Sequence, residues 1–329
     1  MLDTITGELD YSEERFLNKP TTRSSTLPYD PAYEPSVAWQ KWYGTLDEHQ
    51  KLVRDWSVGS AVAGEHGLLF TYGQSRTGKS TLAEGLSATL GDGARVFSLS
   101  SDFGRFATKF MENTTYLYDP DSKGSKNHNN ANYETLHLMA SGDPIKVEIK
   151  GGDMYQTTNY GFVEIVSNAP VGMSFEQSLV DRVRFCLYTY IEPRADGGTL
   201  KRQILADKQA WLNYAIRCAI RLAKGEITRP PIDEYQAYGW VQWLSATSSY
   251  ARLCFQEMRV VGYSEYQQTV VSKYLLSKET VEDTQAGMRE ISRQLGQELT
   301  TYDWETYGET LAKLYYNGGG NGNEATKLF

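Results

Sequence analysis

The chain has 329 residues, of which 40% are hydrophobic and 22% charged, and its formal net charge at pH 7 is −8. These values are typical of a soluble globular protein with one sizeable core and a second, smaller one. The negative net charge excludes a protein that binds nucleic acid nonspecifically over its whole surface. If the protein binds DNA, its basic residues must be clustered on one inner surface. No apolar run approaches the roughly 20 residues of a membrane span, and the polar N-terminus lacks a signal region. We therefore expect a cytoplasmic protein with no membrane partner.

The cysteines and histidines show no pattern typical of a bound metal. Cys186, Cys218 and Cys254 lie far apart, without the paired spacing of a zinc site or a disulfide framework. The histidines likewise lack a metal-ligand spacing. We expect reduced, buried thiols of the kind found in cytoplasmic proteins.

Composition and periodicity divide the chain into consecutive segments. Residues 1–35 are polar and contain several prolines, which favours an extended arm that is ordered only where it docks. Residues 36–66 carry aromatic and aliphatic side chains at helical spacing, and 67–200 alternate short apolar runs with helical stretches. A C-terminal helical domain, with a winged helix as one alternative, is expected over 201–316. The Gly- and Asn-rich residues 317–329 are expected to form a flexible tail.

The alternating segment predicts an α/β fold, with a sheet packed between flanking helices. Short apolar runs bounded by turn residues are typical of buried strands, whereas longer runs with three- and four-residue spacing are typical of helices. The predicted strands are 68–72, 96–99, 115–118, 162–166 and 185–190. The predicted helices outside the sheet segment are 37–57, 210–224 and 238–259.

Residues 73–80 read GQSRTGKS and match the phosphate-binding P-loop pattern G-x-x-x-x-G-K-[ST], between an apolar run and a leucine-rich helical stretch. Glycines let backbone N–H groups turn toward phosphate oxygens. Lys79 reaches the β- and γ-phosphates, and the Ser80 hydroxyl ligates Mg²⁺. ATP and Mg²⁺ are therefore the predicted cofactors, with a purely structural loop as the alternative. The predicted nucleotide-binding residues are Gly73, Gln74, Ser75, Arg76, Thr77, Gly78, Lys79, Ser80 and Thr81.

An apolar β run at 115–118 leads into the carboxylate of Asp119, which Pro120 and Asp121 follow. A P-loop ATPase needs an acid at the end of a neighbouring strand to hold the Mg²⁺ shell and orient water. Asp119 is the predicted Mg²⁺-shell residue, and Asp121 is the predicted second acid that polarises water. The alternative is that these residues form only a turn.

Beyond the acidic strand the sequence carries a further series of motifs. Residues 136–144 read LHLMASGDP, residues 145–157 have the pattern of a basic hairpin, and an apolar strand then ends in Asn168 before Pro170. Arg182 precedes the next apolar strand. In this order the motifs resemble the superfamily 3 helicases, in particular the helicase part of phage and plasmid primase-helicases and their poxvirus relatives. In that family the first of these segments reads roughly L-K-x-L-T-G-G-D-P.

The resemblance covers roughly residues 36–260, of which 67–192 carry specific motifs. It implies an AAA+-like ATPase core that binds ATP between the subunits of a ring. Asn168 would then be the sensor that hydrogen-bonds the attacking water or the γ-phosphate, with an ordinary cap on the following turn as the alternative. Arg182 would be the arginine finger of a neighbouring subunit, with a surface salt bridge to an acid such as Asp181 as the alternative.

The predicted hairpin carries Lys146 and Lys150 beside the turn residues 151–153. The resemblance implies that this hairpin projects into the ring channel. Its lysines would there contact the phosphates of single-stranded DNA. The alternative is a pair of solvated lysines on an exposed hairpin.

Some positions depart from the family pattern. His137 stands where the family has lysine, Pro120 displaces the second acid of the magnesium strand, and 122–132 is unusually polar and Asn-rich. Few residues precede the P-loop, so we expect any primase or polymerase that works with this motor to be a separate protein.

Together these features predict an ATP-dependent DNA helicase or translocase. It would act as a homo-oligomeric ring, a hexamer, in the replication of a phage or mobile element, and so in a host cytoplasm. One alternative is a DNA-binding or assembly ATPase that remodels a nucleoprotein complex without unwinding it. Another is a small-molecule kinase with the same loop, which the long helical C-terminal part and the Asn168 and Arg182 motifs disfavour.

Overall fold

The computed structural model describes residues 27–73, 75–99, 114–122, 130–148, 154–158, 161–168, 182–188, 198–233, 235, 236 and 239. Helices and strands alternate along most of this length. The helices are α1 (Val37–Tyr43), α2 (Glu48–Ala63), α3 (Lys79–Leu90), α4 (Asn130–Ser141), α5 (Thr199–Ala206) and α6 (Lys208–Ala223). The strands are β1 (Gly67–Gly73), β2 (Ala94–Val96), β3 (Tyr116–Ser122), β4 (Pro144–Glu148), β5 (Met154–Thr158), β6 (Phe162–Ser167) and β7 (Val183–Tyr188).

The central sheet has five parallel strands in the order β2-β3-β6-β1-β7. β1 lies between β6 and β7, with Phe70 opposite Ile165 on one side and Phe185 on the other. These three strands are almost entirely buried, as parallel strands covered on both faces are. The predicted α/β class is confirmed. Because the strands are parallel, their carboxyl ends meet at one edge, where α/β proteins place their ligands.

Several element boundaries differ from the sequence prediction. The strand expected at 185–190 is observed at Val183–Tyr188, and the strand expected at 115–118 extends to Ser122. Two further differences have an identifiable physical cause. The strand expected at 96–99 lies earlier, at Ala94–Val96, and the Leu99 N–H donates to the Asp119 carboxylate at 2.9 Å instead of to a strand carbonyl. The single helix expected at 37–57 is two helices, because a capping box starts α2 afresh. The Asp47 carboxylate accepts the Gln50 N–H at 2.7 Å, and the Gln50 side chain accepts the Asp47 N–H at 2.9 Å.

The helix α6 packs across α2 and α3, which themselves pack on the sheet. Trp211 of α6 lies directly on Gly85 of α3, where a Cβ atom would stand 2.4 Å from the indole ring. Trp211 also contacts Trp39 and Trp42 of α1, with ring centroids 6.0 and 5.1 Å away. These contacts join α6, which was expected in the C-terminal helical domain, to the layer that contains the P-loop helix.

The last part of the predicted N-terminal arm docks on the start of α6. The Tyr33 hydroxyl and the Ser36 N–H donate to the two carboxylate oxygens of Asp207 at 2.8 and 2.7 Å. The Asn213 side chain accepts the Asp30 N–H at 3.3 Å and donates to the Asp30 carbonyl at 2.6 Å. Docking of this kind is what orders an otherwise extended terminal segment.

A buried ion pair lies between α2 and the sheet. Arg54 Nη1 donates to Glu164 Oε1 at 2.5 Å, and neither side chain is more than 1% exposed. The hydroxyls of Thr71 and Tyr116 donate to the same carboxylate at 2.6 and 2.5 Å. The pair therefore ties α2 to β1, β3 and β6, and loss of one partner would leave an uncompensated charge in the core.

The C-terminal predictions, which are the helix at 238–259, the winged helix and the tail, lie outside the described residues, as does Cys254. Cys186 and Cys218 are free, buried thiols, and burial raises the pKa of Cys186 to about 11. Within the described part of the chain, every helix is too short or too polar to cross a membrane.

Candidate functional site

The P-loop joins β1 to α3 at the carboxyl edge of the sheet. β1 ends at Gly73, and α3 begins at Lys79. Arg76 and Gly78 have φ angles of 67° and 91°, in the left-handed region that glycine tolerates and that strains a residue with a Cβ atom. Gly78 caps α3 with no side-chain hydrogen bond, and helix N-termini of this kind favour anions. Gln74 lies outside the described residues.

A cavity of about 750 Å³ opens against this loop. Its volume is in the range of sites for small ligands and cofactors. The P-loop lines it over 75–81, and Asp121 and Asn168 line it from the ends of β3 and β6. Trp42 at the end of α1 and Lys201 on α5 line the remaining side. The structure therefore brings most of the predicted nucleotide-binding residues to one cavity.

Lys79 and Asn168 meet inside the cavity. Lys79 Nζ donates to Asn168 Oδ1 at 2.8 Å. Asn168 directly follows β6, and Ser167 at the end of β6 lies opposite Tyr72 near the end of β1. The expected position of Asn168, at the end of the strand beside the P-loop strand, is therefore observed.

The Lys79 ammonium is held in a partly dehydrated position. Burial lowers its pKa from 10.5 to about 8, and the nearby Asp121 carboxylate opposes part of that shift. Desolvation disfavours the charged form, whereas an anion placed beside the amine restores it. The environment of Lys79 therefore favours a bound anion.

The strand β3 continues through both predicted acids to Ser122, so the alternative that they form only a turn is wrong. Asp119 is 4% exposed, and its carboxylate accepts the N–H groups of Leu99 at 2.9 Å and Asp121 at 3.3 Å. Burial raises the pKa of Asp119. Pro120 has no N–H for the strand ladder, and the β3–β6 register shifts between Asp119 and Ser122. Asp121 lines the cavity, whereas the buried Asp119 is not among its lining residues.

The residues at the cavity fit a magnesium–triphosphate group. Mg²⁺ takes oxygen ligands and usually combines one or two protein donors with phosphate oxygens and water. The Ser80 hydroxyl and the Asp121 carboxylate are oxygen donors at the cavity, and the Lys79 ammonium complements phosphate charge. The donor set therefore matches the predicted cofactors, with Asp121 in the place expected for Asp119.

The helix α5 contributes a lysine that the sequence reasoning missed. Lys201 Nζ donates to Glu84 Oε1 at 2.6 Å and to Ser80 Oγ at 3.3 Å. Both partners lie on α3, one turn apart and on the same face. The sequence did contain a signal, because the first turn of α5 holds Lys201 and Arg202 and no acid. Helix N-termini normally favour acids, so a lysine there is unusual, and the anionic partner of Lys201 is Glu84.

Arg182 lies at the opposite edge of the sheet from the P-loop. It precedes β7, which runs parallel to β1 and in register with it. The length of such strands separates Arg182 from the loop by roughly 20 Å. Arg182 Nη1 lies 2.7 Å from Nε2 of His137 on α4. Arg184 is buried, and its Nε donates to the Pro230 carbonyl at 2.6 Å, which makes it a structural residue of the core.

The predicted hairpin is observed as the antiparallel pair of β4 and β5. Lys146 stands opposite Gln156 and is exposed, whereas its neighbours Ile145 and Val147 are buried. Because side chains alternate along a strand, Lys146 points away from the core. Lys150 and the turn lie outside the described residues.

Comparison with known proteins bears mainly on the fold. Residues 71–182 match a family model described as "Family of unknown function (DUF5906)". A solved structure described as "The A form apo structure of NrS-1 C terminal region-CTR" aligns with a TM-score of 0.51 and 13% identity, over 88% of this chain and 73% of that chain. A structure of the JCV helicase with a bound small molecule aligns with a TM-score of 0.34 and 12% identity, over 79% of this chain and 73% of that chain. No curated protein matches the sequence.

At 13% identity the likeness to the NrS-1 C-terminal region concerns the fold alone. That fold is mixed α/β with a parallel central sheet, consistent with a nucleotide-binding architecture. The family model spans the part of the chain that runs from the P-loop strand to Arg182. The site residues discussed above therefore lie within the matched segment, apart from those on α1 and α5.

Proposed function

We propose that the chain is an ATP-dependent DNA helicase or translocase that works as a homo-oligomeric ring, a hexamer, in the replication of a phage or mobile element. The supporting observation is the division of the site between two edges of one sheet. Lys79, Asp121 and Asn168 share a cavity, while Arg182 lies at the far edge. Arg182 lies too far from the cavity of its own chain to contact a nucleotide there, so we assign it to the nucleotide of a neighbouring subunit. A site completed between subunits is the arrangement that a ring motor needs.

Each residue at the cavity has a defined task in ATP hydrolysis. The P-loop N–H groups bind phosphate oxygens, and Lys79 Nζ holds the oxygens of the β- and γ-phosphates. Ser80 Oγ and the Asp121 carboxylate hold Mg²⁺, which when bound neutralises charge on the β- and γ-phosphates. The Asn168 carboxamide, already in contact with Lys79, orients the attacking water. Asp119 fixes the strand end that carries Asp121.

The remaining parts of the proposal concern the ring. Arg182 of one subunit stabilises transition-state charge at the nucleotide of the next, which is the arginine-finger role. The β4–β5 hairpin, with Lys146 exposed on β4, contacts the phosphates of single-stranded DNA together with Lys150. A separate primase or polymerase is the proposed protein partner.

The test compares ATP hydrolysis with and without single-stranded DNA, together with strand displacement on a forked duplex. We expect DNA to raise the rate in the wild type, strand separation to follow, and Lys79→Ala to reduce hydrolysis to background. Hydrolysis that DNA stimulates without strand separation would favour the remodelling ATPase instead. A rate that does not respond to DNA would contradict the proposal.

A further inference from the structure

The Lys201 side chain lines the proposed nucleotide cavity. Its ammonium donates to Glu84 Oε1 at 2.6 Å and to Ser80 Oγ at 3.3 Å. The Lys201 and Glu84 side chains are 39% and 36% exposed, so neither partner of the pair is fully buried. Its helix, α5, packs on α1 and α3. Lys201 is therefore a partly exposed cation beside the P-loop and not a buried structural one.

The hydrogen bond between Lys201 and Ser80 implies that the Lys201 ammonium changes partners when nucleotide binds. Ser80 Oγ is the hydroxyl that fits Mg²⁺ in the cavity, and two cations do not share one hydroxyl oxygen. The Lys201 ammonium must therefore leave Ser80 when a magnesium–triphosphate binds. Within the cavity the phosphate oxygens are then its strongest acceptors, because charge-assisted hydrogen bonds to phosphate are short and strong.

The position of Lys201 in its helix supports the same conclusion. The first turn of α5 carries cations and no acid, although the helix dipole disfavours cations there. Glu84 offsets that cost in the present arrangement, and a phosphate group would offset it when nucleotide binds. Arg202, the next residue, is exposed and donates to Thr199 of its own turn at 3.3 Å, so it gives a matched control that does not line the cavity.

We propose that Lys201 is a second phosphate-binding lysine, which exchanges Glu84 and Ser80 for the triphosphate when nucleotide binds. The proposal rests on the nucleotide site proposed above and adds a residue to it. α5 leads through Asp207 directly into α6, and Asp207 also binds the docked segment at Tyr33 and Ser36. Lys201 therefore lies on the helix that leads into the contact between α6 and the docked segment.

The test measures the affinity of the full chain for ATP with Mg²⁺, for example by competition with a fluorescent analogue, in four variants. Lys201→Ala should weaken binding about tenfold, as expected for the loss of one charge-assisted contact. Lys201→Arg should retain most of the affinity, and Arg202→Ala should behave as the wild type. Glu84→Gln should tighten binding about two- to threefold, because it frees the ammonium from a competing carboxylate.

The opposite changes in ATP affinity expected for Lys201→Ala and Glu84→Gln distinguish phosphate binding by Lys201 from a structural role. If the ion pair were purely structural, Lys201→Ala and Glu84→Gln would both weaken ATP binding, and that result overturns the proposal. The proposal is also overturned if Lys201→Ala binds ATP as tightly as Arg202→Ala does. Thermal melting of each variant shows whether the fold is retained. Lys79→Ala serves as the site control: if it binds ATP as tightly as the wild type, the nucleotide site itself is wrong, and not only the role of Lys201.

Discussion

The two edges of the parallel sheet carry different parts of the proposed active site. At the carboxyl edge, Lys79, Asp121 and Asn168 line one cavity and can act on a nucleotide bound by a single chain. At the amino edge, Arg182 contacts His137 of α4 and is separated from that cavity by the length of the sheet. If the proposed roles are right, nucleotide binding needs one chain, whereas fast hydrolysis needs two.

Replacing Arg182 tests the amino edge and has the largest expected effect. Arg182→Ala should lower ATP hydrolysis by the assembled protein about 10³-fold, because a finger arginine stabilises transition-state charge, and should leave nucleotide affinity unchanged. Steady-state hydrolysis and equilibrium binding measure the two quantities. A mixture of Arg182→Ala with Lys79→Ala should regain part of the activity, since some interfaces then combine an intact Lys79 with an intact Arg182. Normal hydrolysis by Arg182→Ala alone would show that the two edges do not cooperate.

The two acids of β3 test the carboxyl edge. Asp121→Asn should lower hydrolysis about 10²-fold, the size of loss expected when one preorganised electrostatic group is removed. Asp119→Asn should instead lower the unfolding free energy by about 1 kcal/mol, because the buried carboxylate is a backbone hydrogen-bond acceptor. Activity assays and chemical denaturation of both variants give the comparison. A larger loss of activity in Asp119→Asn would return the magnesium role to Asp119.

The pH dependence of ATP binding is a further test of the carboxyl edge. The pKa of Lys79 is lowered to about 8 by burial, and the protonated form binds phosphate. Affinity for ATP should therefore be constant below that pKa and fall as pH rises through it, by at most about tenfold per unit. Titrations from about pH 7 to about pH 9.5 measure this. Lys79→Arg, whose guanidinium stays charged, is the control and should lack the decline; an equal decline in both proteins would assign it to another group.

The smallest expected effect concerns the partner of Arg182. A guanidinium only donates hydrogen bonds, so His137 Nε2 accepts and the ring proton lies on Nδ1. His137→Ala should slow hydrolysis about three- to fivefold, the cost of losing one hydrogen bond that positions the guanidinium, with no change in affinity. His137→Gln keeps an acceptor and should be close to the wild type. If both variants weaken nucleotide binding instead, α4 influences the cavity and the separation of the two edges is incomplete.

The fold was predictable where local residues decide local structure. The apolar runs expected as strands at 68–72, 162–166 and 185–190 are the buried strands β1, β6 and β7, although β7 begins two residues earlier than expected. The β2 boundary was not predictable, because the Leu99 N–H binds the side chain of Asp119, which lies 20 residues away in sequence. The break between α1 and α2 did have a local signal in Asp47 and Gln50, which the continuous aromatic periodicity concealed.

The candidate site was likewise predictable only where its residues are close together in the sequence. The P-loop pattern alone located Lys79 and Ser80, because that loop carries its chemistry in consecutive residues. The proposed assignment of the magnesium role to Asp121 in place of Asp119 depends on a register shift next to Pro120, which only strand pairing reveals. Lys201 lies 121 residues from Ser80 in sequence, so its contact with the P-loop helix follows from the packing of α5 and from no spacing in the sequence.

The contact between Gly85 and Trp211 has a mechanical consequence. With no room for a side chain between them, the backbone of α3 and the indole ring fit too closely to slide or roll without a clash or a gap, and protein interiors resist both. We therefore expect the two helices to shift together and not independently. If nucleotide binds as proposed, a displacement at the Lys79 end of α3 would also displace α6.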